Sequence, residues 1–273
     1  MTEYYTPTRV LFGKEAETHL GETLKKDGYK KALLHYGGNS AIKSGLLDRA
    51  EKDLIAHGIE YIKVGGVVPN PRVTLVREAI IQAKKHGSEI IIALGGGSVV
   101  DSAKAIAYGL FNTEGDIWDY YLGERKVKGA FPLAVVLTLS ATGSEMSASS
   151  VISNDDGPGY KRGLNSEWGK PKYAFLNPEL TYSVSSYQTA SGSADIMMHT
   201  LERVFHSGNG LTLTDDLSVA LLRTVMTYTP IAIASPTCYE ARANLMWAGS
   251  LSHNGLMNMG SDSRGDWACH QME

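Results

Sequence analysis

The sequence predicts an α/β domain followed by an all-α domain. In residues 9–177, short apolar runs alternate with helical patterns, as in βαβ units around a mostly parallel sheet. After Asn177 and Pro178 the strand-like runs stop, and only long helical patterns remain. We therefore expect two domains, residues 1–182 and residues 183–273.

The predicted elements follow one another regularly along the chain. Apolar and β-branched runs predict strands at 31–36, 61–64, 89–94, 131–138 and 173–176. Amphipathic spacing predicts helices at 41–56, 71–86, 98–109, 186–208, 215–228 and 236–256. Because helices separate the strands, the crossovers should be right-handed and the sheet parallel.

The composition is that of an ordinary globular protein. Of 273 residues, 43% are hydrophobic and 20% are charged, and the net charge of −3 argues against nucleic acid or an anionic membrane as a partner. Cys238 and Cys269 form no CxxC pair, which suits a reducing compartment. We expect neither a signal peptide nor an apolar segment long enough to cross a bilayer, and so a soluble cytoplasmic protein.

A glycine-rich turn follows the strand predicted at 89–94. Gly95, Gly96 and Gly97 lead into Ser98 and a helix. Glycines let backbone amides approach a phosphate closely, and the helix N-terminus adds the positive end of its dipole. At the carboxyl end of a strand, this pattern predicts a pyrophosphate site, although it matches neither GxGxxG nor the Walker motif.

The same turn also has a purely structural interpretation. Ser98 would cap the helix and Asp101 would complete a capping box, with no ligand bound. Two further polar clusters favour a ligand, because Gly38 and Ser40 follow an earlier strand and residues 138–145 follow a later one. Open α/β sheets bind their ligands at this edge.

A polar stripe runs along the helix predicted at 186–208. Asp195, His199, Glu202 and His206 are spaced so that they share one face, and their neighbours are mostly apolar. A carboxylate and an imidazole one turn apart in such surroundings are costly unless something binds them. A divalent metal would satisfy both, and an ion pair explains the spacing equally well. We expect Glu202 and His206 to serve packing or to contact solvent.

His270 is the other candidate ligand. With Asp195 and His199 it would form a two-histidine, one-carboxylate set, which suits Fe²⁺ and which Zn²⁺ also accepts. We interpret the two cysteines and four other histidines as structural: His35, His57, His86 and His253.

Together these motifs resemble the iron-containing alcohol dehydrogenase family, particularly its butanol dehydrogenase-like and broad aldehyde reductase-like branch. The resemblance runs from about residue 9 to the last residue and rests on five segments: GGGSVVDSAKAIA (95–107), LSATGSE (139–145), NPEL (177–180), SADIMMHTLE (193–202) and GDWACH (265–270). It implies a dehydroquinate synthase-like fold, with a nucleotide-binding α/β domain and a helical domain. It also implies a homo-oligomeric enzyme that transfers hydride between NAD(P)H and a small primary alcohol or aldehyde.

The resemblance further implies the residues of the site. Three of the four ligands of one divalent metal, Fe²⁺ or Zn²⁺, fall on Asp195, His199 and His270. The metal would polarise the substrate oxygen, so that no protein nucleophile is needed. The cofactor phosphates and ribose fall on residues 95–98 and Asp101. The nicotinamide side falls on Thr138, Thr142, Ser144 and Lys161.

The segment after the first predicted strand bears on cofactor choice. Enzymes that require NAD place a carboxylate on the adenosine ribose, where it repels a 2′-phosphate. Gly38, Asn39 and Ser40 offer no acid. We therefore expect NADP(H) to be accepted and preferred.

The C-terminal residues carry no helix stop signal. The resemblance places the fourth metal-binding histidine and a proton-relay histidine beyond Glu273. We therefore expect a fragment of a longer protein, with weak dinucleotide binding, an exposed helical face and little activity; robust activity would point to another ligand, such as His253 or Asp266. The alternatives are a glycerol dehydrogenase-like or dehydroquinate synthase-like enzyme, a nucleotide-binding remnant without catalysis, and a non-haem iron oxygenase.

Overall fold

The computed structural model describes residues 2–157, 159–205, 211–260 and 267–272. They form two compact units. The sheet unit comprises Thr8–Thr138 and Ala148–Asn177, and the helical unit comprises Met1–Pro7, Leu139–Ser147 and Pro178–Glu273. The predicted combination of an α/β part and an all-α part is confirmed. A domain division after residue 182 stays a prediction, and residues 139–147 lie in the helical unit.

The sheet unit is built on six parallel strands, and a separate antiparallel hairpin accompanies them. In chain order the strands are β1 (Arg9–Phe12), β2 (Lys31–Gly37), β3 (Glu60–Val67), β4 (Ile90–Gly95), β5 (Leu133–Leu137), β6 (Ser149–Ser153), β7 (Lys161–Asn165) and β8 (Tyr173–Leu176). The order across the sheet is β1–β8–β5–β4–β2–β3, and β6 pairs with β7. Strand β4 is buried along its whole length, as its continuous apolar run predicts for a parallel strand covered on both faces.

Six α-helices connect the strands of the sheet unit. They are α1 (Leu20–Lys26), α2 (Asn39–Lys43), α3 (Leu46–Ala56), α4 (Val73–His86), α5 (Gly97–Phe111) and α6 (Ile117–Tyr121), with 3-10 turns at Ala16–His19 and Glu167–Gly169. The single helix predicted at 41–56 is wrong, because the chain breaks at Gly45, whose φ of 70° lies in the left-handed region.

Strands β1, β6 and β7 have no counterpart among the sequence predictions. Strand β7 reads Lys-Arg-Gly-Leu-Asn and is mostly exposed. Its partner β6 is rich in serine. Neither strand shows the apolar alternation that marks a half-buried strand, and backbone pairing between the two holds the hairpin together.

The helical unit packs three long helices around one apolar core. They are α7 (Ser186–Val204), α8 (Thr212–Ala234) and α9 (Tyr239–His253); α10 (Ala268–Met272) is short, and 3-10 turns lie at Pro178–Thr181 and Leu256–Asn258. Ile196, Val225 and Leu245 meet in the core. All three predicted helices are present. Helix α8 continues beyond the predicted end at 228, to Ala234. Pro230 lies in this last part, where it removes one backbone hydrogen-bond donor but does not end the helix.

Helix α8 is also long and apolar enough to cross a membrane, judged by length and composition alone. The expectation that no segment meets this criterion is therefore wrong. Only 22% of its most apolar window is buried, and Leu213, Met226 and Ile231 are among its exposed side chains. One such helix is weak support for a membrane protein, since an apolar helix face also serves contacts between proteins.

Candidate metal and nucleotide sites

Helix α7 places the first two candidate metal ligands. The Ser185 side chain accepts the backbone N–H of Gln188 and caps the helix, which then runs uninterrupted to Val204. Asp195 and His199 are one turn apart on this helix, so their side chains project from the same face. Local helix geometry therefore brings this pair together.

The third candidate ligand comes from the other end of the helical unit. The His270 Nε2 atom lies 3.4 Å from Asp195 Oδ1, and His199 Nε2 lies 3.7 Å from the same oxygen. The potential ligand atoms of the three residues all lie within 4.8 Å of one another. The His199 side chain is 5% exposed, whereas Asp195 and His270 are 29% and 28% exposed. The cluster is therefore enclosed on the His199 side and accessible beside the other two residues.

The chemistry of this cluster fits a divalent metal. Burial lowers the pKa of His199 to about 4, so its ring is neutral at physiological pH, the form in which imidazole binds metals. Its buried Nδ1 atom has no hydrogen-bond partner among the residues that the structure describes. Two imidazoles and one carboxylate match the preferences of Fe²⁺ and Zn²⁺. The ion-pair interpretation of Asp195 and His199 is less favoured, because a neutral His199 carries no charge for the pair.

Aromatic rings surround His199. The His253 ring lies 4.2 Å from it and the His270 ring 4.8 Å, measured between centroids, and Trp267 approaches edge-on at 6.0 Å. The Arg203 guanidinium lies over the Trp267 ring and donates to the His199 carbonyl, and burial lowers the pKa of Arg203 to about 10. His253, interpreted from the sequence as structural, is therefore a neighbour of the candidate metal ligands.

Glu202 differs most from its sequence-based interpretation. It was expected to serve packing or to contact solvent, yet its carboxylate is buried and accepts two backbone N–H groups, from Trp267 at 2.9 Å and from Cys269 at 3.3 Å. Contact with solvent is therefore wrong and the packing alternative remains, because a buried carboxylate requires hydrogen-bond donors and finds them in the segment that carries His270. Its position two turns after Asp195 was the available signal. His206 and Asp266, which the sequence also singled out, lie outside the described residues.

Residues 139–147 lie against α7 and α9 in the helical unit. The His253 Nδ1 atom donates to the carbonyl of Thr142 at 2.9 Å, and the Ser250 hydroxyl donates to Glu145 at 2.5 Å. The Ser144 backbone N–H donates to the Thr142 hydroxyl. Thr142 and Ser144, two candidate nicotinamide contacts, are therefore in the same unit as the candidate metal ligands.

The glycine turn lies in the sheet unit, at the carboxyl end of β4. Strand β4 lies between β2 and β5; Tyr36 of β2 aligns with Leu94, and Leu137, the last residue of β5, aligns with Gly95. The Thr138 N–H donates to the Gly95 carbonyl at 3.1 Å, and Gly38 with Ser40 begins α2 after β2. The expectation that polar segments follow three strands at one sheet edge is therefore met for residues 38–40, 95–98 and 138.

The proposed capping box at this turn is wrong. Helix α5 begins at Gly97 after an N-cap at Gly96, with no side-chain cap from Ser98. The Asp101 carboxylate instead accepts the Val151 N–H at 3.1 Å, and the Ser150 hydroxyl donates to the Asp101 carbonyl. Asp101 thereby links α5 to the β6–β7 hairpin. Its carboxylate bonds to Val151, which is distant in the sequence, instead of completing the proposed capping box. Absence of a side-chain cap leaves the first N–H groups of α5 available to another acceptor.

Lys161 begins β7 and is exposed. It pairs with Ser153 in the register of the hairpin. The structure therefore places Lys161 on the hairpin that is bonded to α5, in the same unit as the glycine turn.

Comparisons with known proteins identify what the chain is similar to. Residues 7–178 match the iron-containing alcohol dehydrogenase family model, and residues 189–273 match the C-terminal model of the Fe-containing alcohol dehydrogenase family. NADH-dependent butanol dehydrogenase A of Clostridium acetobutylicum is 42% identical over 99% of this chain and 68% of that protein. NADPH-dependent aldehyde reductase YqhD of Escherichia coli is 36% identical over 98% and 68%. The crystal structure of NADH-dependent butanol dehydrogenase A from Thermotoga maritima superposes with a TM-score of 0.95 at 39% identity, covering 100% of this chain and 67% of that one.

Proposed function

The chain belongs to the iron-containing alcohol dehydrogenase family, and we propose that it interconverts small primary alcohols and aldehydes with NAD(P)H as the hydride carrier. The observation that carries the proposal is the convergence of Asp195, His199 and His270, whose potential ligand atoms lie within 4.8 Å of one another. Relatives named as butanol dehydrogenases and as an aldehyde reductase support the substrate class.

In this proposal Asp195, His199 and His270 hold one divalent metal, Fe²⁺ or Zn²⁺. When bound, the metal supplies Lewis-acid polarisation of the alcohol or aldehyde oxygen. Asp195 contributes the negative charge of the ligand set, and His199 contributes a neutral nitrogen because burial lowers its pKa to about 4. The exposed fractions of Asp195 and His270 make their side of the cluster the entry for substrate.

The dinucleotide is assigned to the edge of the parallel sheet. Backbone N–H groups of Gly95, Gly96, Gly97 and Ser98 would bind the pyrophosphate, supported by the uncapped N-terminus of α5. Gly38 and Ser40 would contact the adenosine side, and Thr138 and Lys161 the nicotinamide side of the same unit. Thr142 and Ser144 stay predicted nicotinamide contacts.

The remaining elements of the proposal concern the environment of the enzyme. We propose a cytoplasmic protein that acts as a homo-oligomer on small molecules, without nucleic acid or membrane as a partner. The net charge of −3 and the absence of a disulfide between its two cysteines support this assignment.

The test combines metal analysis with turnover. The purified chain is loaded with Fe²⁺ or Zn²⁺, and reduction of butanal is followed through loss of NADPH or NADH absorbance. We expect one metal per chain and a low rate of turnover that a strong chelator abolishes. A chain that binds dinucleotide but neither binds metal nor reduces aldehydes would contradict the proposal and indicate a nucleotide-binding protein without catalysis.

A further inference from the structure

Glu202 lies on the same helix as Asp195 and His199 but is not one of the assigned ligands. Its side chain is 7% exposed, and a buried carboxylate is costly unless hydrogen bonds compensate the lost hydration. Both of its oxygens are used: Oε2 accepts the Trp267 N–H at 2.9 Å, and Oε1 accepts the Cys269 N–H at 3.3 Å. These donors flank the start of α10, the helix that carries His270.

The backbone that Glu202 holds is strained. Trp267 has a φ of 56°, in the left-handed region that a bulky residue rarely adopts. Such a conformation is unfavourable and persists where the surroundings stabilise it. The Glu202 hydrogen bond to the Trp267 N–H and the Arg203 guanidinium over the Trp267 ring both act at this residue. Two consecutive residues of α7 therefore stabilise the turn that directs α10.

Glu202 also faces the ring of His270. The His270 Nε2 atom lies 3.4 Å from Asp195, and its Nδ1 atom lies 3.9 Å from Glu202 Oε1. The ring is thus placed between two carboxylates, one of them in the assigned ligand set and the other behind the ring. Metal-binding histidines commonly donate their second ring N–H to such a carboxylate, which sets the ring orientation and makes the ligating nitrogen more basic. At 3.9 Å, Glu202 lies beyond hydrogen-bond distance of this nitrogen and acts on the ring through its charge.

We propose that Glu202 is a positioning residue for the metal site: it holds the Trp267–Cys269 backbone and orients His270 towards the metal. This inference rests on the proposed function, because it assigns Glu202 a task at the same site. Helix α7 would then supply two ligands directly and control the third through its next turn. A carboxylate is suited to the task because it accepts two N–H groups and carries the charge that favours a metal-binding imidazole.

The test compares Glu202→Gln and Glu202→Ala in the whole chain. Glu240→Gln is the matched control, since Glu240 also lies in the helical unit but bonds to the Tyr228 hydroxyl on α8. Zn²⁺ and Co²⁺ affinities are measured by competition with a chelator, together with the visible spectrum of bound Co²⁺. Amide exchange reports on the backbone of Trp267 and Cys269, and NADPH affinity serves as a fold-dependent readout from the sheet unit.

We expect Glu202→Gln to lower metal affinity about 10- to 100-fold and to change the Co²⁺ spectrum, with NADPH affinity unchanged. Glu202→Ala should show the same loss and faster exchange at Trp267 and Cys269. If Glu202→Ala does not fold, Glu202→Gln still decides, because it keeps the size of the side chain. Wild-type metal affinity in Glu202→Gln would overturn the positioning role. Wild-type metal affinity in Asp195→Ala would refute the metal site itself, so the two failures are distinguishable.

Discussion

The two units build their candidate sites in different ways. In the sheet unit, the candidate nucleotide site is one contiguous turn whose backbone N–H groups are the functional atoms. In the helical unit, the candidate metal site consists of side chains, and His270 comes from a segment remote in sequence from Asp195 and His199. The backbone site requires small residues and a strand-to-helix turn. The side-chain site requires tertiary packing that places each ring correctly.

The difference also determines what supports each site. Helix α5, which follows the glycine turn, is bonded to the β6–β7 hairpin through Asp101 and through Lys104, whose amine donates to the Ser149 carbonyl. The candidate metal ligands lie beside a buried carboxylate, the tilted ring of His253 and a strained turn. We therefore expect the metal site to be the more sensitive of the two to single substitutions.

The largest expected effect separates the two sites directly. His199→Ala or Asp195→Ala should abolish stoichiometric metal binding and lower kcat/KM by at least about 10³-fold, because two donors cannot enclose the metal. NADPH affinity should change less than about threefold, because the turn at Gly95 lies in the other unit. Metal analysis and dinucleotide titration check this. Retention of a full metal equivalent would refute the ligand assignment, and an equal loss of NADPH binding would refute the independence of the two sites.

The next effect is a loss of stability of the sheet unit at acidic pH. His35 is fully buried between the Val64 carbonyl and the Ser102 hydroxyl, each at 2.8 Å, and burial lowers the pKa of His35 from 6.5 to about 4. Because the unfolded chain binds this proton more readily, the contribution is complete above pH 6.5 and is lost as the pH falls towards 4. We expect it to reach about 3 kcal/mol of unfolding free energy.

Urea unfolding of the metal-free protein between pH 7 and pH 4 measures how the free energy of unfolding depends on pH. Burial also lowers the pKa of His199, so His199 adds a pH dependence of the same sign to the stability of the helical unit. His35→Gln isolates the contribution of the sheet unit, since the difference from the wild type should shrink as the pH falls. A difference that stays constant over this range would contradict the assignment.

A smaller effect contrasts helix contacts in the two units. An ideal Cβ at Gly192 would lie 2.5 Å from the Ser140 carbonyl oxygen, whereas one at Gly109 would meet the end of the flexible Ile80 side chain. Alanine inside a helix is normally stabilising relative to glycine by about 1 kcal/mol. We expect Gly192→Ala to lower the free energy of unfolding by about 2 kcal/mol and Gly109→Ala to lower it by less than about 1. The Ile80 side chain can move away from a new Cβ, whereas the Ser140 backbone cannot. Ser191→Ala on the exposed face of α7 is the control, and equal costs for both glycines would remove the contrast.

The smallest effect concerns cofactor choice at the sheet edge. No acid lies at residues 38–40, so we expect kcat/KM for NADPH to exceed that for NADH by about tenfold. Ser40→Asp should reverse the preference, because a carboxylate there repels a 2′-phosphate and can bond a ribose hydroxyl. Lys43→Gln, one turn further along α2, lowers the net charge by the same one unit and controls for the change in charge. A clear preference of the unmodified protein for NADH would contradict the prediction.

Much of the fold was predictable because its signals are local. The apolar run at 90–94 and the helical spacing at 186–204 each depend on neighbours within a few residues, and both elements are present. Polar or interrupted segments were not predictable in this way. The β6–β7 hairpin has no apolar alternation, and one residue at Gly45 divides a helix whose amphipathic pattern continues across it.

The candidate site divides along the same line. The glycine turn at a strand end and the one-turn spacing of Asp195 and His199 could be read from the sequence alone, because strand and helix geometry convert spacing into direction. Three contacts appear only in the folded structure: His270 meets Asp195, Glu202 accepts the Trp267 N–H, and the His253 ring lies 4.2 Å from the His199 ring. These contacts join residues distant in the chain, and their geometry follows from how buried polar groups find partners once the helices have packed.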